Sequence, residues 1–378
     1  MHRNDDSGSV WDDRPWHPLP PLKGDISADV CVVGLGGSGL TVVGELLDLG
    51  VDVVGVEKHR VGSGATGRNG GFFLAGTPDF HHRAVTVMGA ERAAALHRLT
   101  LEQLERMWLE TPNALRFTGS IRLGVDQDEI EDCRLQLQAM EAANLPVSVY
   151  NGPEGHGLLF PRDAGGQPLQ RARTLAGRAR MRGARLFEQS PATAVDGSSV
   201  QTPGGRVRCG TVIVAVDGAL GRAVPEVTSV RTARAQMLAT GPAHEVEIPR
   251  PVYARYGYDY WQQLLDKRVV LGGFRDFGGD AEWTEMATPT APLQHHLETF
   301  LRQGLGVRAP ITHRWAGAIG FTQDKLPVIW HGKGGWAFGG YSGTGNVLGA
   351  VCGRAVAQWA ITGRSILDGI LPVRGPAA

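Results

Sequence analysis

The sequence predicts an α/β protein in which a mainly antiparallel α+β domain is inserted into a domain built on a buried, parallel-type sheet. Three observations carry that expectation. The run "DVCVVG" at 29–34 is β-branched and apolar and passes straight into "GLGGSG" and a helical pattern. Further buried-strand runs follow as "VDVVGVE" at 51–57 and "TVIVAV" at 211–216. From 230 to 280 the pattern changes to longer, half-exposed strands. Continuous apolar runs suit strands covered on both faces, and alternating runs suit sheets with one wet face.

The elements follow in order. Residues 1–24 are polar and Pro-rich and are expected to form a surface arm. After the first strand, Leu40, Val43, Leu46 and Leu47 recur at helical spacing, and Gly50 ends the helix. Periodicity predicts helices over 90–110 and 128–144, and an Arg-rich helix over 167–183. The six arginines from Arg171 to Arg185 read as a solvated face rather than a nucleic-acid surface. "RLFEQSPATAVDG" and "VQTPGGRVRCG" read as strands, the second as a hairpin. In "YDYWQQLLDKRVVLGGF" two strands meet at a turn marked by Asp266 and Lys267. A helix is expected over 291–303, and "WAFGGYSG" leads into the helix "NVLGAVCGRAVAQWAITG". The expected boundaries are 25–80, 155–225 and 315–378 for the first domain, and 81–154 and 226–314 for the inserted one.

Bulk composition narrows the function classes. The 378 residues are 42% apolar, enough for two buried cores. Lys plus Arg is 38 and Asp plus Glu is 38, so no net charge steers the chain to nucleic acid or an anionic membrane. Cys31, Cys133, Cys209 and Cys352 form no C-x-x-C, which argues against a dithiol pair or zinc ribbon and suits a reducing cytoplasm. The N-terminus is acidic without an apolar run, and no stretch reaches the ~18 apolar residues of a membrane span. His81-His82 and His295-His296 are adjacent pairs that converge poorly on one ion, so no metal is expected. Glycine is abundant, 53 residues, about twice the usual ~7%, and clusters in a few loops.

Gly34-Leu35-Gly36-Gly37-Ser38-Gly39 fits G-x-G-x-x-G between a strand and a helix, the context in which that pattern signals a Rossmann-like dinucleotide site. Gly34 permits the tight turn, Gly36 lets backbone approach a pyrophosphate, and Gly39 lets helix and strand pack. The helix N-terminus favours the phosphates. Glu57 ends the next strand and suits the ribose hydroxyls of an adenosine; it would repel a 2′-phosphate. A second glycine-rich strip, "VGSGATGRNGGFF" at 61–73, follows at once. A nicotinamide site rarely needs it. A flavin, longer and stiffer, needs backbone lying flat along it.

With "ADVCVVGLGGSGL", "GSGATGRNGGF", "LFEQSPATAV", "TVIVAVDGA", "VVLGGFRD", "RWAGAIGFTQDKLPVI" and "GGYSGTGN" in that order, the chain resembles the FAD-dependent oxidoreductases of the D-amino acid oxidase (DAO) superfamily. It is most similar to the glycine oxidase, sarcosine oxidase and γ-glutamylputrescine oxidase group. The resemblance implies a Rossmann-like FAD domain of the GR2/DAO type. It places Ser63 and Thr66 at the diphosphate and ribityl chain, and Arg68, Asn69, Gly70 and Gly71 beside the isoalloxazine ring. Gly340, Ser342, Gly343, Thr344, Gly345 and Asn346 fall near the flavin O2 and N1, and Ala192 at the adenine. Ser38, Lys58 and Ala215 are counted with the cofactor-binding residues.

The resemblance also implies oxidation of a C–N bond, by hydride transfer from a neutral amine to flavin N5, with the imine hydrolysed by water. Electrons then pass to O2 or another acceptor. Three departures stand out. Relatives of the glycine oxidase type carry an Arg for the substrate carboxylate where Ile319 stands. Sarcosine oxidase-like members attach flavin through a Cys whose equivalent is Gly317, so non-covalent FAD is expected. Asp217 replaces the usual Asn. Tyr256, Tyr258, Tyr260, Trp261 and Arg275 are the candidates for the amine pocket, with Tyr258, Tyr260 and Arg275 as catalytic candidates. Arg275 could supply the lost carboxylate contact or help oxygen react by stabilising superoxide, and an outward salt bridge to Asp276 or Asp280 is an equal alternative. Oxidation of a hydroxyl carbon, and flavin binding without turnover, remain open beside amine oxidation.

Overall fold

The computed structural model describes residues 8–376. The chain divides into two compact units, one of residues 14–67, 168–232 and 319–376, the other of 8–13, 68–167 and 233–318. The first unit holds the sheet that the apolar runs foretell. Ile26–Val33 lies between Val53–Val56 and Gly205–Val214, parallel to both, with Cys31 level with Val54 and Val212. Arg185–Phe187 extends it in parallel beside Val53–Val56. Gly335–Gly339 adds a parallel strand on the other side, and hairpins at 194–202 and 328–339 complete it. Val33, Val54, Val56, Val212 and Val214 are buried at its centre, as strands covered on both faces require. The helices Gly37–Asp48, Pro168–Met181 and Leu348–Thr362 belong to this unit. Gly353 lets the first and last of them approach closely: a Cβ there would sit 2.7 Å from the Ser38 carbonyl oxygen.

The second unit is a mainly antiparallel sheet in the order 311–321, 231–242, 268–273, 259–263, 252–254, 120–123, 155–160 and 148–152. Val252–Ala254 runs parallel beside Ser120–Leu123. Lys267 takes φ +66° at the expected turn. The helix Ala291–Thr299 packs Leu293 and Leu297 onto the sheet face bearing Leu238, Trp261, Val269 and Leu271. The expected helix to 303 ends sooner. A wide turn replaces its last part, in which the Leu305 N–H reaches the Phe300 carbonyl at 3.0 Å.

The unit boundaries differ from the sequence-based ones: 68–80 and 155–167 fall in the antiparallel unit. Pairing explains it, because Phe72–Phe73 and Ala164–Gly166 bond to each other, Phe73 opposite Ala164. The arm also departs from expectation. Val10, Trp11, Leu19 and Leu22 are buried rather than on the surface. Among the described residues no helix is long and apolar enough to cross a membrane.

Candidate functional site

In the parallel-sheet unit, the first glycine loop is shaped by close approaches. Gly34 has φ +97°, and a Cβ on it would lie 2.5 Å from the Ala215 carbonyl oxygen. A Cβ on Gly39 would collide with the Gly34 carbonyl, so helix and strand can meet only at glycine. The helix that follows has neither a side-chain cap nor an acid in its first turn. Its Gly37 N–H donates to Thr66 Oγ1 at 2.9 Å, which brings the 61–67 strip against the helix start. A Cβ on Gly36 would meet that same hydroxyl at 2.9 Å.

Glu57 accepts from the Leu35 and His59 N–H groups, each at 3.0 Å, and these fix its carboxylate at the strand end. Ser63 Oγ accepts from Arg60 N–H at 3.3 Å. Lys58 is exposed, and Ala192 is half-buried beside the sheet core. Ala215 N–H donates to Val33 O at 2.8 Å. The Ser38 hydroxyl lies against Gly349 on the last helix.

The second glycine loop of this unit, 340–346, opens the helix Leu348–Thr362, again without a side-chain cap or a first-turn acid. Asp217 holds it. Its carboxylate accepts from Gly340 N–H at 3.0 Å, Tyr341 N–H at 3.4 Å and Gly320 N–H at 3.1 Å. Burial pushes that carboxyl up against the pull of these N–H groups. The sequence gives no role for the Asn-to-Asp departure; the structure gives Asp217 this one. Ser342, at φ +50°, donates its N–H to Gly320 O at 2.8 Å, and its Oγ accepts from Thr322 N–H at 3.1 Å. Thr344 N–H donates to Tyr341 O at 3.1 Å. Gly345 lies over the Tyr341 ring, where a Cβ would stand 2.9 Å from Cδ2. Ile319 is half-buried, its backbone against Gly218. Asn346 precedes the helix within the same loop.

In the antiparallel unit, the strip Arg68–Gly71 meets the strand Asp259–Gln263. A Cβ on Gly70 would fall 3.0 Å from the Tyr260 ring. Arg68 donates to the Ala316 carbonyl at 2.8 Å, and Gly317 packs on Arg68, where a Cβ would be 3.1 Å from that of Arg68. Strand alternation corrects one candidate. Tyr260 and Gln262 face the strip, so Trp261 points the other way, 5% exposed, its ring 5.2 Å from Phe300 in the core. It lines no pocket.

Tyr256 is 41% exposed and packs edge-on to Phe80 at 5.8 Å, beneath Arg83. Its loop is tied to buried Glu129, which accepts from Tyr256 N–H at 2.6 Å. Arg275 is half-buried, with its guanidinium 5.4 Å from the Tyr258 ring and 4.7 Å from that of Trp283. Asp276 is paired with Arg255 instead, at 2.6 and 2.7 Å. Burial drives the Tyr260 hydroxyl well above its usual range, and the Arg275 charge offsets part of that rise. Arg275, Tyr258 and Tyr260 therefore form one cluster, with Trp283 as a member that the sequence reading missed. Trp283 sits in a stretch without periodicity, so nothing local marks it.

A model of the family described as FAD dependent oxidoreductase (DAO) matches residues 29–359. The chain belongs to that family. It is 27% identical to the gamma-glutamylputrescine oxidoreductase of Escherichia coli (strain K12), over 90% of this chain and 85% of the relative. It is 26% identical to the probable oxidoreductase OrdL of Rhizobium meliloti (strain 1021), over 97% and 90%. The structure of L-proline dehydrogenase from P. horikoshii is similar at a TM-score of 0.73 and 20% identity, covering 91% of this chain and 95% of that one. Glycine oxidase from Geobacillus kaustophilus follows at 0.70 and 19%, covering 91% and 98%. At such identities these two speak for the fold.

FAD is the family's cofactor, and the residues present fit it. Two helices begin at glycine loops without a side-chain cap, and their dipoles favour phosphate and a ring carrying negative charge. An acid fixed by backbone stands at the end of the second strand, and the loop positions that would press on a dinucleotide are glycines.

Proposed function

We propose that this oxidoreductase oxidises an amine or amino acid at its CH–N unit, the α-hydrogen leaving with the two electrons of its C–H bond and an N–H proton passing to solvent, and that water hydrolyses the resulting imine to a carbonyl compound and an amine or ammonia. The observation that carries the reading is the match, over 90% of this chain, to a relative whose named substrate is an amine bearing an amino-acid moiety. FAD, when bound, supplies the two-electron acceptor, and O2 or another acceptor then takes the electrons. Gly34, Gly36, Gly39, Thr66 and Glu57 would hold its adenosine and diphosphate. Arg68–Gly71 and Gly340–Asn346 would hold the ring.

Tyr260 keeps its proton, so it orients substrate by donating or accepting a hydrogen bond and does not serve as a base. The Tyr258 and Trp283 rings stack on the Arg275 guanidinium, which receives the substrate carboxylate in place of the Arg absent at Ile319. Gly317 offers no sulfur for a covalent link.

The test is anaerobic mixing with a panel of sarcosine, glycine, L-proline, γ-glutamylputrescine and 2-hydroxyacids, following loss of the yellow flavin band. Bleaching by an amine or amino acid is expected. Arg275→Ala should then raise KM for the carboxylate-bearing substrate by roughly 10–100-fold, as loss of a charge-assisted hydrogen bond requires. Bleaching by 2-hydroxyacids alone, or by nothing, would overturn the reading.

A further inference from the structure

The strip Arg68–Gly71 has four consecutive carbonyl oxygens, and each is taken by a donor of its own unit. Trp315 Nε1 donates to Arg68 O at 2.9 Å, and Trp11 Nε1 to Asn69 O at 2.7 Å. Gln262 Nε2 donates to Gly70 O at 2.5 Å, and Gly166 N–H to Gly71 O at 2.9 Å. None of the described peptide bonds is cis. In a trans peptide the N–H following a carbonyl points the opposite way. The Asn69 N–H is therefore aimed away from Trp315, and the Gly70 N–H away from Trp11. The Gly71 N–H turns back to Asn69 Oδ1 at 2.8 Å.

Trp11 is the unexpected member. It lies in a polar arm yet is 1% exposed, and Gly71 gives it room: a Cβ there would stand 2.9 Å from Trp11 Cη2. Its own carbonyl accepts from Gln167 Nε2 at 2.6 Å. A buried indole with its N–H satisfied by one chosen carbonyl sets the plane of one peptide.

We infer that Trp11 is a positioning residue for the flavin: by holding the Asn69–Gly70 peptide plane, it aims the Gly70 N–H toward the ring and so tunes the ring's affinity and potential. This rests on the reading that Arg68–Gly71 runs beside the ring. On that inference Trp11, a residue of the arm, belongs to the cofactor site.

Trp11→Phe keeps most of the ring volume and removes the donor. It should weaken FAD about tenfold by titration of flavin-stripped protein. It should also shift the two-electron potential, a tenfold change in the ratio of oxidised to reduced affinity reading as about 30 mV. Gln167→Leu, which frees the Trp11 carbonyl, should move both in the same direction by less and covers a folding failure of the first variant. Trp359→Phe, which removes an indole donor to Asp368 in the other unit, should leave both unchanged. Asn69→Ala tests the underlying reading. If it shifts the flavin spectrum while Trp11→Phe and Gln167→Leu leave affinity and potential at the wild-type values, the inference about Trp11 is wrong and the ring-side strip stands. If none of the three alters flavin binding, the strip does not touch the ring and both fall.

Discussion

Asp163 is 3% exposed and accepts from Ser120 Oγ at 2.6 Å and Ala75 N–H at 2.8 Å. Those bonds and the nearby Arg122 charge pull its carboxyl down, but burial wins and pushes it up to about 7. The sign follows from proton counts. Below about pH 4, near the ordinary Asp value, folded and unfolded chains both hold the proton. From there to about 7 the unfolded chain has lost it while the folded one retains it, so each step up in pH costs stability. Above that both are ionised and the penalty is complete. Asp163→Asn removes the titration, and the Ser120 hydroxyl can turn to meet an amide. Relative to wild type, the variant should gain roughly 2–4 kcal/mol between pH 4.5 and 7.5 and no more beyond. Denaturant melts at several pH values with saturating FAD measure it; a constant difference between the two proteins across that range contradicts it.

At the scale of elements, what was legible in the chain is what local backbone demands. The strand–loop–helix at 26–48 and the acid at Glu57 could be read because a tight turn and a close approach admit only glycine at fixed offsets. The face of the strand Asp259–Gln263 could not, since Tyr260 and Trp261 are both large aromatics and only the partner across the sheet decides which turns inward. Long-range clamps are equally silent. Glu188 is fully buried; its Oε1 accepts from Trp16 Nε1 at 2.8 Å and Val61 N–H at 2.6 Å, and its Oε2 from Leu19 N–H at 2.8 Å. It fastens the second half of the arm and the first residue of the 61–67 strip to the end of a strand. In the sequence it is one Glu in "LFEQSP" with no spacing to distinguish it. Glu188→Gln replaces one acceptor oxygen by a donor facing an N–H, which should cost about 1–3 kcal/mol in equilibrium unfolding. Because Val61 opens the cofactor strip, FAD affinity should fall with it. Unfolding and affinity at wild-type values would mean the three donors find other acceptors.

At the scale of the whole molecule, the cofactor is proposed to be held by geometry and not by a bond. The loops proposed for the dinucleotide are built on glycine at Gly34, Gly36 and Gly39, and Gly317 carries no nucleophile. The four cysteines are no substitute. Burial raises the thiols of Cys31, Cys209 and Cys352, and that of Cys133 to about 11, so none is a thiolate near neutral pH. Cys31 and Cys209 stand on sheet strands and Cys133 and Cys352 on helices, three of the four fully buried. Acid precipitation should therefore send all of the yellow chromophore into the supernatant. A ligand held only by contacts stabilises by mass action, about 2.7 kcal/mol at a free concentration 100 times its Kd. Protein stripped in this way should regain its melting temperature on adding FAD, climbing with the logarithm of FAD concentration above Kd. Colour retained in the pellet would place a covalent link somewhere in the chain. A melting temperature indifferent to added FAD would mean that the glycine loops do not hold the dinucleotide.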